Sequence, residues 1–94
     1  MTINSIADIA GNDAVHPISG ATQANARKLW LTAIGGVARF GAKGNVAAAV
    51  GVELPEGVAC EFEASSSDRI DTIDLTQAAA YIPTGTTLTI AYGI

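Results

Sequence analysis

The stretch Leu54-Pro55-Glu56-Gly57-Val58-Ala59-Cys60-Glu61-Phe62-Glu63-Ala64 returns in altered form as Ile82-Pro83-Thr84-Gly85-Thr86-Thr87-Leu88-Thr89-Ile90-Ala91-Tyr92. Each copy is an apolar residue, then Pro-x-Gly, then a run that alternates between two faces. Proline at the first central turn position fixes φ, and a glycine two places on supplies φ > 0 or a tight exit. Such a turn feeding an alternating run marks a hairpin or a strand corner. Two of them in 94 residues predict an antiparallel β domain.

The same period of two extends outward from these copies. In 27–34, Leu29, Leu31 and Ala33 share one face, while Lys28, Trp30 and Thr32 share the other. Gly35-Gly36 ends that run, 37–40 makes a short second strand, and 41–45 is the next turn. From 46 to 54, Val46, Ala48, Val50, Val52 and Leu54 alternate with smaller or charged residues and predict one long strand. Beyond Cys60 and Phe62, Ser65-Ser66-Ser67-Asp68 is a loop tip. The apolar side of 69–75 is ambiguous, and 76–80 fits either a helical turn or the start of a strand ending at Ile82. The sum is seven or eight short strands, which predicts an all-β fold: a small antiparallel β-sandwich or jelly-roll-like domain over 26–94. Its expected core holds Leu29, Leu31, Val50, Val52, Cys60, Phe62, Leu88 and Ile90.

Residues 1–25 differ in composition, being rich in Asn, Ser, Thr, Ala and Gly. Ile3, Ile6 and Ile9 recur at a spacing of three, which suits one face of a short helix capped by Asn4 or Ser5. This segment is expected to be an N-terminal arm with little structure of its own, ordered on a neighbour or a surface.

Net charge is −4 and the charged fraction only 15%, which argues against a nucleic-acid partner and for a surface partly covered by another protein. Arg27, Lys28, Arg39 and Lys43 precede residue 44, whereas Glu53, Glu56, Glu61, Glu63, Asp68, Asp71 and Asp74 lie between 53 and 74. That split reflects either cross-strand pairing within one chain or complementary patches between subunits. The lone Cys60 makes no internal disulfide and alternates with Val58 and Phe62 as a small buried hydrophobe. No basic cluster with an apolar run opens the chain, and nothing approaches the ~18 apolar residues of a membrane span. A soluble product made in a cytoplasm, with no membrane partner, is the expectation.

Catalytic constellations are missing. His16 is the single histidine and stands before a proline, so a Ser-His or Cys-His arrangement has no base. One His and one Cys do not make a zinc site, and Asp68, Asp71 and Asp74 lack the Asp-x-Asp-x-Asp-Gly pattern of a calcium loop. Glu61 and Glu63 share a strand face, but five aromatic residues in the chain leave little from which to build a sugar-stacking cleft. Gly41-Ala42-Lys43-Gly44 lacks the ending of a phosphate loop. No enzyme activity, cofactor or metal is expected. Trp30, on the polar face of its strand, is costly unless covered by the second sheet or by a partner, so Trp30 with Ile3, Ile6 and Ile9 forms the candidate interface.

From residue 26 onward the chain resembles small β-structured virion proteins of tailed bacteriophages, the capsid decoration or cement proteins and related head or tail accessory proteins. Leu29-Trp30-Leu31-Thr32-Ala33, Val37-Ala38-Arg39-Phe40-Gly41, the two Pro-x-Gly turns and Leu88-Thr89-Ile90-Ala91-Tyr92-Gly93 carry the resemblance. It implies a homotrimer on the capsid surface of a virion that clamps neighbouring major capsid protein subunits, part of the grip coming from an N-terminal arm, with no active site. Two other readings stay open: a phage tail, head–tail or fibre-associated β module, and a cellular ligand- or carbohydrate-binding β-sandwich.

Overall fold

The alternation in 28–34 becomes a strand whose odd-numbered residues Leu29, Leu31 and Ala33 are buried completely. In this computed structural model the described residues are 3–19, 25–63 and 73–94. They form ten strands: β1 (Ile3–Ala10), β2 (Ala14–Pro17), β3 (Asn25–Ala26), β4 (Lys28–Ile34), β5 (Ala38–Ala42), β6 (Val52–Leu54), β7 (Ala59–Glu63), β8 (Ile73–Asp74), β9 (Ala78–Ile82) and β10 (Thr87–Gly93). Every pairing between them is antiparallel. One sheet has the order β1-β10-β4-β7, the second β2-β9-β5-β6, and β3 pairs only with β8. Without that short pair, the other strands taken in chain order fall as 1-8-3-6 and 2-7-4-5, the arrangement of a jelly roll.

Both Pro-x-Gly turns are corners between sheets, not hairpins. The first links β6 to β7 and the second β9 to β10, each carrying the chain from the second sheet to the first. Val58 N donates to Pro55 O at 3.4 Å and Thr86 N to Pro83 O at 3.1 Å, so each proline holds the first position of its turn and the turn begins one residue later than the sequence implies. The glycines then take the third position with φ of 74° and 88°, where a side chain would be strained. The chain makes the reverse crossing at Gly11–Asp13 and at Gly35–Val37. The register, with Ala10 opposite Thr87 and Thr32 opposite Ala59, puts all four corners at one end of the sandwich. Gly11 N donating to Thr86 O, Gly57 N donating to Ala33 O (both 2.7 Å) and Thr84 N donating to Asp13 Oδ1 (2.8 Å) tie them together.

The inward face of the first sheet is a set of cross-strand rows: Ile6–Ile90–Leu31–Cys60, Ile9–Leu88–Ala33 and Tyr92–Leu29–Phe62. Leu54, Ile82, Ala38, Ala80, Ile18 and Leu75 complete the core from the other side. Phe40 lies opposite the small Ala80 and meets Phe62 of the facing sheet, ring centroids 4.7 Å apart.

Four expectations change here. Residues 3–10 and 14–17 are not an arm apart from the domain: β1 and β2 are the outer strands of the two sheets, and the expected short helix is a strand instead. The isoleucine spacing of three is met by a bulge, two residues of β1 (Ala7 and Asp8) standing against Thr89 alone, so Ile6 and Ile9 both face inward. Ile3, with no bulge between it and Ile6, faces out and is 64% exposed. The expected long strand over 46–54 is broken, because Ala47 and Val50 exchange hydrogen bonds at 3.1 Å across a tight turn. Only β6 remains of it, and Val50 and Val52 are more than half exposed instead of in the core. Leu29, Leu31, Leu88 and Ile90 are buried as expected, while Cys60 and Phe62 are half-buried at the β7 edge and pack against the core. Residues 75–77 form a turn that precedes β9. The loop tip at 65–68 and most of 69–75 lie outside the described residues.

Deleting Ala7 removes the extra residue of the bulge and leaves Ile6 and Ile9 two apart on a regular strand. That variant is expected to unfold in denaturant within about 1 kcal/mol of the parent, whereas Ile9→Ala costs about 1–2 kcal/mol. Removing residues 1–12 strips β10 of a neighbour and uncovers Leu88 and Ile90, so cooperative unfolding is expected to weaken sharply or vanish. Phe62→Ala, half-buried, should cost about 1–3 kcal/mol, less than the roughly 3–5 of a fully buried ring.

Candidate functional site

The outward rows of the first sheet carry the polar complement of its core. Ser5, Ala91, Trp30 and Glu61 stand side by side on β1, β10, β4 and β7, and Thr89 pairs with Thr32 in the next row. Trp30 is half-buried and donates from Nε1 to Glu61 Oε2 at 3.2 Å, so its polar atom is satisfied and its ring is held in place. The second sheet does not cover it; it borders a shallow groove of about 240 Å³ with Ser5, Asp8, Thr32, Thr89 and Ala91. Thr89 donates from Oγ1 to Thr32 O at 3.4 Å along the floor.

The charge split resolves within the chain for the groups that pair. Lys28 lies 3.5 Å from Glu61 and 3.2 Å from Glu63, each across the β4–β7 ladder. Arg39 lies 3.7 Å from Glu53, its register partner on β6, and donates to Gly51 O at 3.4 Å. These pairs are solvent-exposed, so they set strand register and local potential more than stability.

The residues weighed for chemistry are dispersed. His16, on β2, donates from Nε2 to Asn12 Oδ1 at 2.7 Å. Cys60 is a free thiol on β7, its Sγ 3.6 Å from Val58 O. Asp74 accepts from Thr76 N at 3.0 Å and from Thr76 Oγ1 at 2.7 Å, a turn-forming role, while Asp68 and Asp71 lie outside the described residues. No group of three or more His, Cys, Asp or Glu among the described residues is placed to hold a metal ion. Among the candidate interface residues, Trp30 and Ile3 are on the outer face of the first sheet, and Ile6 and Ile9 are turned into their own core.

A second accessible feature, which sequence reasoning missed, is the corner end. Ile34, Val37 and Val58 are 52%, 43% and 50% exposed beside the corners at Gly35-Gly36 and Pro55-Glu56-Gly57. The signal was present in the sequence as apolar residues flanking turn glycines, but period alone assigns such residues to strands. Comparisons with family models, with curated proteins and with solved structures give no match.

The Lys28 ammonium is held above the usual lysine value of 10.5, first by the hydrogen bond to Glu63 and then by the charge of Glu61. A raised value means that the pair contributes fully below pH 10.5 and is lost as the pH climbs through the raised one. Denaturation midpoints compared at about pH 8 and about pH 11 should fall slightly more for the parent than for Lys28→Met. Equal losses in the two would show that the pair does not couple to folding.

Proposed function

We propose that this protein is a structural component of a bacteriophage virion, a capsid decoration protein that binds between major capsid subunits as a homotrimer and catalyses nothing. The observation that carries the reading is the corner end. Ile34, Val37 and Val58 are presented to solvent at the end of a jelly roll where hydrogen bonds tie the connections together, with Asn12, Asp13, Glu56 and Thr84 exposed around them. Jelly rolls recur in viral capsid domains, which supports the reading by analogy of fold, and the sequence resemblance points the same way. Grip by a free N-terminal arm is withdrawn from the proposal, because β1 and β2 are built into the sheets. Only Ile3 of the three isoleucines is left outside to contribute.

The pairing of Lys28 and Arg39 inside the chain also changes the expected character of the contacts. Lys28 and Arg39, matched within the chain, have little left to offer a complementary patch, so on this reading assembly and capsid binding rest mainly on apolar burial and depend little on salt. Each exposed Val or Ile that becomes fully buried adds roughly 1.5–3 kcal/mol.

A double variant, Val37→Asp with Val58→Asp, should fold, as judged by circular dichroism, and lose attachment to undecorated capsids by at least about 10-fold in co-sedimentation. Attachment should change little as salt is raised. Undiminished attachment of the folded variant would remove the corner end from the reading. Absence of the chain from an electron-microscopy map of particles incubated with it would remove the capsid reading itself.

A further inference from the structure

We infer that the groove on the outer face of the first sheet is a binding site for a single neutral saccharide ring, stacked against Trp30. The groove exists because β10 carries only small outward residues, Thr89 and Ala91, between Trp30 on β4 and Ser5 and Asp8 on β1. Its walls are thus two strand spacings apart, about 9–10 Å, which admits one sugar ring between an aromatic face and a polar rim. The volume of about 240 Å³ matches that scale and falls below the roughly 300–1,000 Å³ of sites for larger ligands.

The chemistry of the lining selects the ligand. Trp30 Nε1 is already bonded to Glu61, so what the indole has left for a ligand is its apolar face. That bond also fixes the ring before anything binds, which lowers the ordering cost of association. Ser5 and Thr32 bring hydroxyls that donate and accept, Thr89 can still accept, and Asp8 accepts only. A polyol with one less polar ring face satisfies such a set. The bulge that turns Ile9 inward also places Asp8 at the rim, joining packing to the site.

Charge excludes the alternatives. The groove contains a carboxylate and no cation, and Lys28 on the same face is held by Glu61 and Glu63, so phosphates and acidic sugars are repelled. A quaternary ammonium would find a single aromatic wall in place of the several faces of an aromatic cage, a poor cation–π site.

This inference stands apart from the capsid reading: it concerns another surface, and its test uses the isolated chain with no particle. Trp30 is the only tryptophan, so intrinsic fluorescence reports on the groove directly. The full chain is titrated with methyl glycosides of glucose, galactose, mannose and N-acetylglucosamine, alongside galacturonate and choline. Saturable change is expected with at least one neutral glycoside, with a dissociation constant on the order of 1 mM, and with neither control. Ala91→Gln, on the outer face, fills the floor and should abolish saturation without loss of fold. Asp8→Ala should weaken binding about 10-fold, the effect of losing a hydrogen bond to a charged group. Trp30→Phe, followed by amide NMR shifts, should keep the fold and bind more weakly. Linear response to every neutral glycoside, binding of choline or galacturonate instead, or saturation unchanged in Ala91→Gln would each overturn the assignment.

Discussion

Leu88 and Ile90 of β10 are the constraint on which the rest of the molecule depends. They lie mid-row in the inward face of the first sheet, with Ile9 and Ile6 on one side and Ala33 and Leu31 on the other. A strand with apolar side chains in those rows must have neighbours on both sides, or its ladder and its side chains face water. The N-terminal segment therefore cannot be spared from the domain. Its bulge is the adjustment that a sequence with isoleucines three apart must make to supply two inward residues to consecutive rows.

The same logic shapes the opposite sheet. β9 turns Ala78 and Ala80 inward beside Ile82, and the space over the alanines is filled by Phe40 from its neighbour and Phe62 from across the sandwich. Large rings against small residues keep a thin core dense without many big side chains. A core of this kind has few residues to lose. Structure is concentrated at the corners, where hydrogen bonds join connections that are far apart in sequence, and that end is thereby made rigid enough to present Ile34, Val37 and Val58.

Much of the fold was legible because a strand buried on one face writes a period of two into the sequence. β4, β7 and β10 carry it clearly, and the two Pro-x-Gly signals mark real turns. Whether such a turn closes a hairpin or turns a corner depends on which sheet the next strand joins, and that is a long-range fact. β1 and β2 were hidden for a related reason. An outer strand is polar on much of its surface, and a bulge replaces period two with the spacing of three that a short helix also shows. The 46–54 run misled in the opposite direction: Ala48 and Ala49 have no turn signature, yet Ala47 and Val50 close on each other and leave Val50 and Val52 outside. Trp30 was recognisable as an anomaly from its face alone. Its groove was not, since Ser5 and Asp8 join it only through the pairing of β1 with β10.

The outer face of the first sheet and the corner end differ in kind, and that difference bears on function. At the corners branched apolar side chains stand exposed beside the turns with a few polar groups around them, a surface that gains by excluding water from a broad protein contact. Around Trp30 the exposed groups are hydroxyls, a carboxylate and one fixed indole in a narrow groove, a surface that gains by matching individual polar atoms. Both arise from one folding requirement. Turning Ile6, Ile9, Leu88 and Ile90 inward leaves Ser5, Asp8, Thr89 and Ala91 outward beside Trp30, and returning the chain between sheets four times at one end leaves Ile34, Val37 and Val58 with no inward row to join. The two surfaces are consequences of how a short aliphatic chain closes its core, and each is available for a partner of its own chemistry.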